Sequence, residues 1–146
     1  MTNKRHYTFT EIKRLCEYII GDVRDAQFTP TLIVGIERGG LIPAVYISHQ
    51  MNLPFKSFRW STRDFESREP IEKLKEYIDA GEKLLIVDDI VDSGTTFAEI
   101  ASALGSKNGV MFASTIEKAI STYKPDFSGT ILDNPDWIVF PWEHRS

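Results

Sequence analysis

The chain has 146 residues, enough for one domain with a substantial core, and its 42% hydrophobic and 26% charged residues are the balance of an ordinary globular protein. Seventeen basic against 21 acidic residues leave a formal charge of −4, which excludes an overall basic footprint for nucleic acid; an anionic ligand must be held by local groups or a metal. No apolar run has the length of a membrane span, MTNKRHYTFTE lacks a signal-peptide core, and the single cysteine, Cys16, cannot close an internal disulfide, so a reducing cytoplasm is the expected setting.

Thr8 and Glu11 have capping-box spacing and open a helix with apolar residues at Ile12, Leu15, Cys16, Ile19 and Ile20. Cys16 lies on that apolar face and reads as a small buried hydrophobe rather than a reactive thiol. TLIVGI, residues 31–36, is a short continuous apolar run, as in a parallel strand covered on both faces. The turn ERGG follows, then a predicted helix over 41–50 and a strand over 55–60. STRDFESREP, residues 61–70, is half charged with no buried-face spacing, and is expected to be a mobile loop. A helix over 71–80 stops at Gly81. The spacing then predicts a strand over 83–90, a helix over 95–104 and a strand over 110–116. The tail, 121–146, carries Pro125, Pro135 and Pro141 and reads as irregular structure with short strands. Strand and helix alternate through the middle, so the class is α/β with a mainly parallel twisted sheet flanked by helices.

The most informative stretch is LLIVDDIVDSGTT, residues 84–96. In an open parallel sheet, ligands bind beyond the carboxyl ends of the strands, which is where Asp88, Asp89 and Asp92 fall. Ser93, Gly94, Thr95 and Thr96 then offer backbone N–H groups, hydroxyls and a helix N-terminus, a combination that binds phosphate without lysine. The carboxylates need another partner, and sugar hydroxyls or Mg²⁺ would serve. The ligand should therefore combine a phosphate, a ribose and a metal-bound anion. Neither G-x-x-x-x-G-K-[ST] nor G-x-G-x-x-G is present. A response-regulator receiver places its acidic pair after the first strand, whereas Asp88 lies well past the middle of this chain.

This stretch is similar to the phosphoribosyl-diphosphate (PRPP) signature of type I phosphoribosyltransferases. GIERGGLIPA, residues 35–44, resembles the pyrophosphate loop of xanthine-guanine phosphoribosyltransferase and its relatives, with Glu37 where the family usually has a small residue. PDWIVFPWE, residues 135–143, is similar to that family's WI…PW hood segment. The resemblance implies one domain over 1–146, with a core over about 8–118, a small C-terminal hood over about 119–146 and a mobile loop over about 61–70.

The same resemblance implies transfer of phosphoribosyl from PRPP to a 6-oxopurine (guanine, xanthine or hypoxanthine) with Mg²⁺, in purine salvage. It implies that Asp92, Ser93, Gly94, Thr95 and Thr96 hold the 5′-phosphate, that Asp88 and Asp89 face the ribose, and that Asp89 contacts the metal. Arg38, Gly39 and the loop residue Arg68 would meet pyrophosphate, and a non-proline cis bond is implied at Glu37–Arg38. Lys118 would donate to the purine 6-oxo group, Trp137 stack on the base, Ile138 meet its 2-edge through the backbone, and Asp92 act as general base; Trp142 is expected in the core. His6, His49 and His144 have no metal-ligand spacing. A homodimer or homotetramer is implied, with neither nucleic-acid nor membrane partners. The alternatives are a non-catalytic PRPP sensor of the same fold, and a phosphoribosyltransferase for another base.

Overall fold

The computed structural model describes residues 3–105 and 108–144. The expected domain limits also take in residues 1, 2, 106, 107, 145 and 146, which lie outside the described residues. The elements run β1 (Lys4–His6), α1 (Phe9–Asp25), β2 (Leu32–Glu37), α2 (Leu41–Met51), β3 (Phe55–Arg59), α3 (Glu72–Asp79), β4 (Leu84–Val91), α4 (Thr95–Leu104), β5 (Val110–Lys118), β6 (Phe127–Leu132) and β7 (Trp137–Val139).

Five strands form one sheet in the order β3-β2-β4-β5-β6, every neighbouring pair parallel. The chain moves outward from β2 to β3, then returns to lay β4 on the other side of β2. The strand order therefore reverses between β2 and β4, and a crevice opens at their carboxyl ends. Alternation along β4 explains how both faces are covered. Leu84 and Ile86 join Phe97, Ile100 and Leu74 on the α3/α4 face, while Leu85 and Val87 join Ile19, Val23 and Ile47 on the α1/α2 face. α1 begins as its sequence requires: the Thr8 hydroxyl accepts from Glu11 N–H at 3.1 Å, and the Glu11 carboxylate accepts from Thr8 N–H at 3.0 Å. Cys16 is buried and burial pushes its thiol up to about 12, so it serves as core.

The tail carries the short strands expected, and they are built into sheets. Its residues Phe127–Leu132 form a full edge strand of the sheet, and Trp137–Val139 pairs in parallel with Lys4–His6 as a separate two-stranded ribbon. The strand β1 has no counterpart in the sequence reading, because KRH is exposed throughout and shows no apolar alternation. β5 also runs two residues beyond the expected end and includes Glu117 and Lys118.

Candidate active site

Two strand-to-helix corners frame the crevice. At the first, β4 gives way to Asp92, Ser93 and Gly94 before α4 begins at Thr95. Gly94 has φ +93°, and a Cβ there would stand 2.7 Å from Tyr123 N, so both conformation and space demand glycine. No N-cap side chain closes α4; the Ser93 hydroxyl accepts from Thr95 N–H at 3.3 Å, and the positive end of the helix dipole lies at the cavity that Thr95 and Thr96 line. The Ser93 and Thr95 hydroxyls lie 2.9 Å apart. Asp88, Asp92, Ser93, Gly94, Thr95 and Thr96 line a cavity of about 420 Å³, closed on one side by Thr62 and Arg63 of the 61–70 loop. All five residues expected at a 5′-phosphate thus surround one cavity.

The second corner joins β2 to α2 through Arg38, Gly39 and Gly40, and the Glu37–Arg38 peptide bond is cis. A Cβ on Gly39 would overlap the Asp89 carboxylate, so the two corners interlock at that point. Arg38 and Gly39 share a cavity of about 520 Å³ with Asp89, Trp142, Glu143 and His144. Glu37 is not among the residues that line it.

The acidic pair sits between these corners. Asp89 N–H donates to the Asp88 carboxylate at 2.8 Å, and the Thr115 hydroxyl donates to the Asp89 carbonyl. Burial raises the Asp88 carboxyl well above the usual carboxylate range, and the neighbouring Asp89 charge adds to the effect. Asp89 is also raised, again first by burial and further by the charge of Glu143. Such a pair is short of positive or hydrogen-bond-donating partners. Among the described residues, no group of three or more His, Cys, Asp or Glu could hold a metal alone. The donors present fit Mg²⁺ on those terms: hard carboxylate oxygens from one or two aspartates, with the remaining ligands from water and substrate oxygens.

A third cavity, of about 260 Å³, adjoins the first at Asp89 and Asp92 and is closed by the C-terminal segment. Lys118, Trp137 and Ile138 line it together, as the sequence reading required. Lys118 is the last residue of β5, not a residue beyond it, and is only 6% exposed. Its ammonium donates to the carbonyls of Asn134 at 3.1 Å and Asp136 at 2.5 Å, leaving one of three donors for the cavity. Trp137 is 65% exposed, so its ring is not core packing. At the ends of the β1–β7 ladder, Trp137 N–H donates to Asn3 at 2.8 Å and Tyr7 N–H donates to Val139 at 3.0 Å. In a parallel ladder that alternation turns the N–H and C=O of Ile138 away from β1. Trp142 is half-buried, stacked on Phe140 with centroids 4.8 Å apart, and also borders the Arg38 cavity.

Arg68 is not brought to the expected place. Its guanidinium donates to the Ser61 carbonyl at 2.6 Å, pairs with Glu99 at 2.8 Å and lies 4.3 Å over Trp60. The loop arginine that borders the 420 Å³ cavity is Arg63. The sequence reading also passed over Ile90, Asn134, Asp136 and Glu143, which line the 260 Å³ cavity. Ile90 had a visible signal, being the apolar residue between Asp89 and Asp92; the others depend on how the tail folds.

Residues 4–145 match the model of the phosphoribosyl transferase domain. The chain belongs to that family. It is 32% identical over 121 residues to a xanthine-guanine phosphoribosyltransferase of Cereibacter sphaeroides, covering 76% of this chain and 68% of the relative. Among solved structures, the xanthine-guanine-hypoxanthine phosphoribosyltransferase of Helicobacter pylori superposes with TM-score 0.77 at 24% identity, over 97% of this chain and 94% of that one. A hypothetical protein from Neisseria gonorrhoeae with bound ppGpp gives TM-score 0.79 at 22% identity, over 99% and 91%. At those identities the two structures bear on the fold alone, which is the expected α/β architecture. By family and relatives, this enzyme stands among the purine phosphoribosyltransferases. No helix among the described residues is long and apolar enough to cross a membrane.

Proposed function

We propose that this phosphoribosyltransferase moves the phosphoribosyl group of PRPP to a 6-oxopurine, releasing pyrophosphate, in purine salvage. The observation that carries the reading is the continuity of two cavities. The loop from Asp92 to Thr96 lines one, and Lys118, Trp137 and Ile138 line the other, with Asp92 on both. Trp137 offers a wide π-face to a flat base. The buried Lys118 ammonium selects an oxo group over an amino group, because an amino group cannot accept its proton. The outward-turned peptide groups of Ile138 meet the 2-edge.

The relatives' names support the choice of base. In this arrangement the α4 N-terminus, Ser93, Thr95 and Thr96 hold the 5′-phosphate. Asp88 and Asp89 accept from the ribose hydroxyls. Arg38 and the Gly39 backbone meet pyrophosphate, joined by Arg68 if it leaves Glu99. As pyrophosphate departs, positive charge develops at the ribose C1 beside these carboxylates, which stabilise it in a site screened from water. Asp92 takes the proton from the purine N7. Asp89 would hold Mg²⁺, which would neutralise charge on the leaving group.

The test is a base panel. The purified protein is incubated with PRPP, Mg²⁺ and, separately, guanine, xanthine, hypoxanthine, adenine and uracil, and nucleoside monophosphate is read by mass. Product from one or more of the first three bases alone is expected. Product only from adenine or uracil overturns the choice of base. PRPP binding with no product from any base favours the sensor instead.

A further inference from the structure

The segment 119–124 links two parts of the crevice that are far apart in sequence. It leaves β5 directly after Lys118 and turns back against the Ser93–Gly94 peptide. Two donors of Thr122 converge there on one acceptor: its N–H reaches the Ser93 carbonyl at 3.0 Å and its hydroxyl reaches the same oxygen at 3.1 Å. The segment is itself held. Ser121 N–H donates to Lys118 at 3.0 Å, the Ser121 hydroxyl to the Tyr123 carbonyl at 2.9 Å, and the Lys124 ammonium to the Ala119 carbonyl at 2.6 Å.

We infer that Thr122 is a positioning residue for the anion-binding loop, acting through the orientation of the Ser93–Gly94 peptide. The inference rests on the proposed 5′-phosphate role of that loop. A trans peptide points its C=O and its N–H in opposite directions. Gly94, at φ +93° and ψ 1°, has the conformation of the third residue of a type II turn; turning this peptide over converts it to type I and reverses both groups. With the Ser93 oxygen held on the Thr122 side, the Gly94 N–H faces the other way, into the cavity that Ser93 and Gly94 line. Among the described residues, that N–H has no hydrogen-bond partner. The reversed peptide would present a carbonyl oxygen to the anion where a donor now stands. Neither Thr122 donor touches the ligand; both act on the loop behind it.

The test reads ligand affinities separately for the two corners of the crevice. Thr122→Val keeps the shape and the N–H but loses the hydroxyl, and Thr122→Ser keeps both donors. Ribose 5-phosphate and Mg²⁺-pyrophosphate are titrated calorimetrically into wild-type and both variants. Loss of one hydrogen bond to the Ser93 carbonyl predicts about 3- to 10-fold weaker ribose 5-phosphate binding by Thr122→Val. Pyrophosphate binding should be unchanged, and Thr122→Ser should be near wild-type. Equal ribose 5-phosphate affinity in wild-type and Thr122→Val, or equal weakening for both ligands, overturns the inference. In wild-type protein the Gly94 amide resonance should be among those moved most by ribose 5-phosphate; an unmoved Gly94 amide overturns it even if Thr122→Val does not fold. Failure of wild-type protein to bind ribose 5-phosphate at all would instead count against the phosphate loop itself.

Discussion

The corners β2–α2 and β4–α4 lie side by side on the sheet and are assembled from the same parts. Each is a buried parallel strand, a short turn ending in glycine, and a helix whose first residue has no side-chain cap. Their charges are opposed. The first presents Arg38 and two glycines that let the backbone approach Asp89 and Val87; the second presents three aspartates and a run of hydroxyls. α1 differs from both, because its N-terminus is closed by the Thr8–Glu11 capping box. The start of α1 is thus closed by its own side chains, whereas α2 and α4, at the strand-order reversal, have no N-cap side chain.

Four substitutions break or sharpen that contrast. Asp92→Asn should cost the most, with kcat falling about 10²–10⁴-fold while PRPP affinity stays close to wild-type, because only a proton acceptor is removed. Steady-state rates and calorimetry measure the two quantities; an unchanged kcat would take Asp92 out of that role. Gly39→Ala attacks the other corner by driving a methyl group into the Asp89 carboxylate. A displacement on that scale should lower kcat/KM for PRPP about 10²-fold, with ribose 5-phosphate affinity retained. Equal loss for both ligands would show that the corners do not act separately.

Asp88→Asn tests the electrostatics of the acidic pair. Asp88 holds its proton more tightly in the folded protein than in the unfolded chain, so its contribution to stability falls as pH rises from the ordinary carboxylate range toward its raised value. Asparagine removes that liability and can still accept from Asp89 N–H. The melting temperature should rise by a few degrees at pH 7–8, with the gain shrinking toward about pH 4. A constant gain or none across that range would contradict the burial effect. Thr8→Ala, at the capped helix, should cost about 1 kcal/mol, or roughly 2–4 °C in melting temperature, with kcat and KM unchanged.

The sequence made the β4–α4 corner legible because its signals are local. The helix expected over 95–104 is the helix observed, and the capping box predicted from Thr8 and Glu11 is present in both directions. What escaped detection depends on partners distant in the chain. β1 is three exposed residues whose strand character comes wholly from β7. Glu117 and Lys118 looked like a strand end because they are charged, yet both are buried. Ser128 and Lys124 partner the first, and the carbonyls of Asn134 and Asp136 the second. Arg68 aligned with a pyrophosphate contact, but Glu99, 31 positions away, holds it elsewhere. Thr122 carries no motif, and its role rests on one carbonyl brought to it by the fold.

The β1–β7 ribbon has a consequence for biosynthesis. Lys4 leaves the ribosome long before its partner Trp137. The acidic corner takes its parts from β2, β4, α4, β5 and the 119–124 segment, all of which emerge before Trp137. Long-range pairings form late because their loops must close first. A nascent chain can thus complete the cavity around residues 92–96 while the one beside Lys118 still lacks its Trp137 wall, and the two halves of the crevice mature in the order in which they are translated.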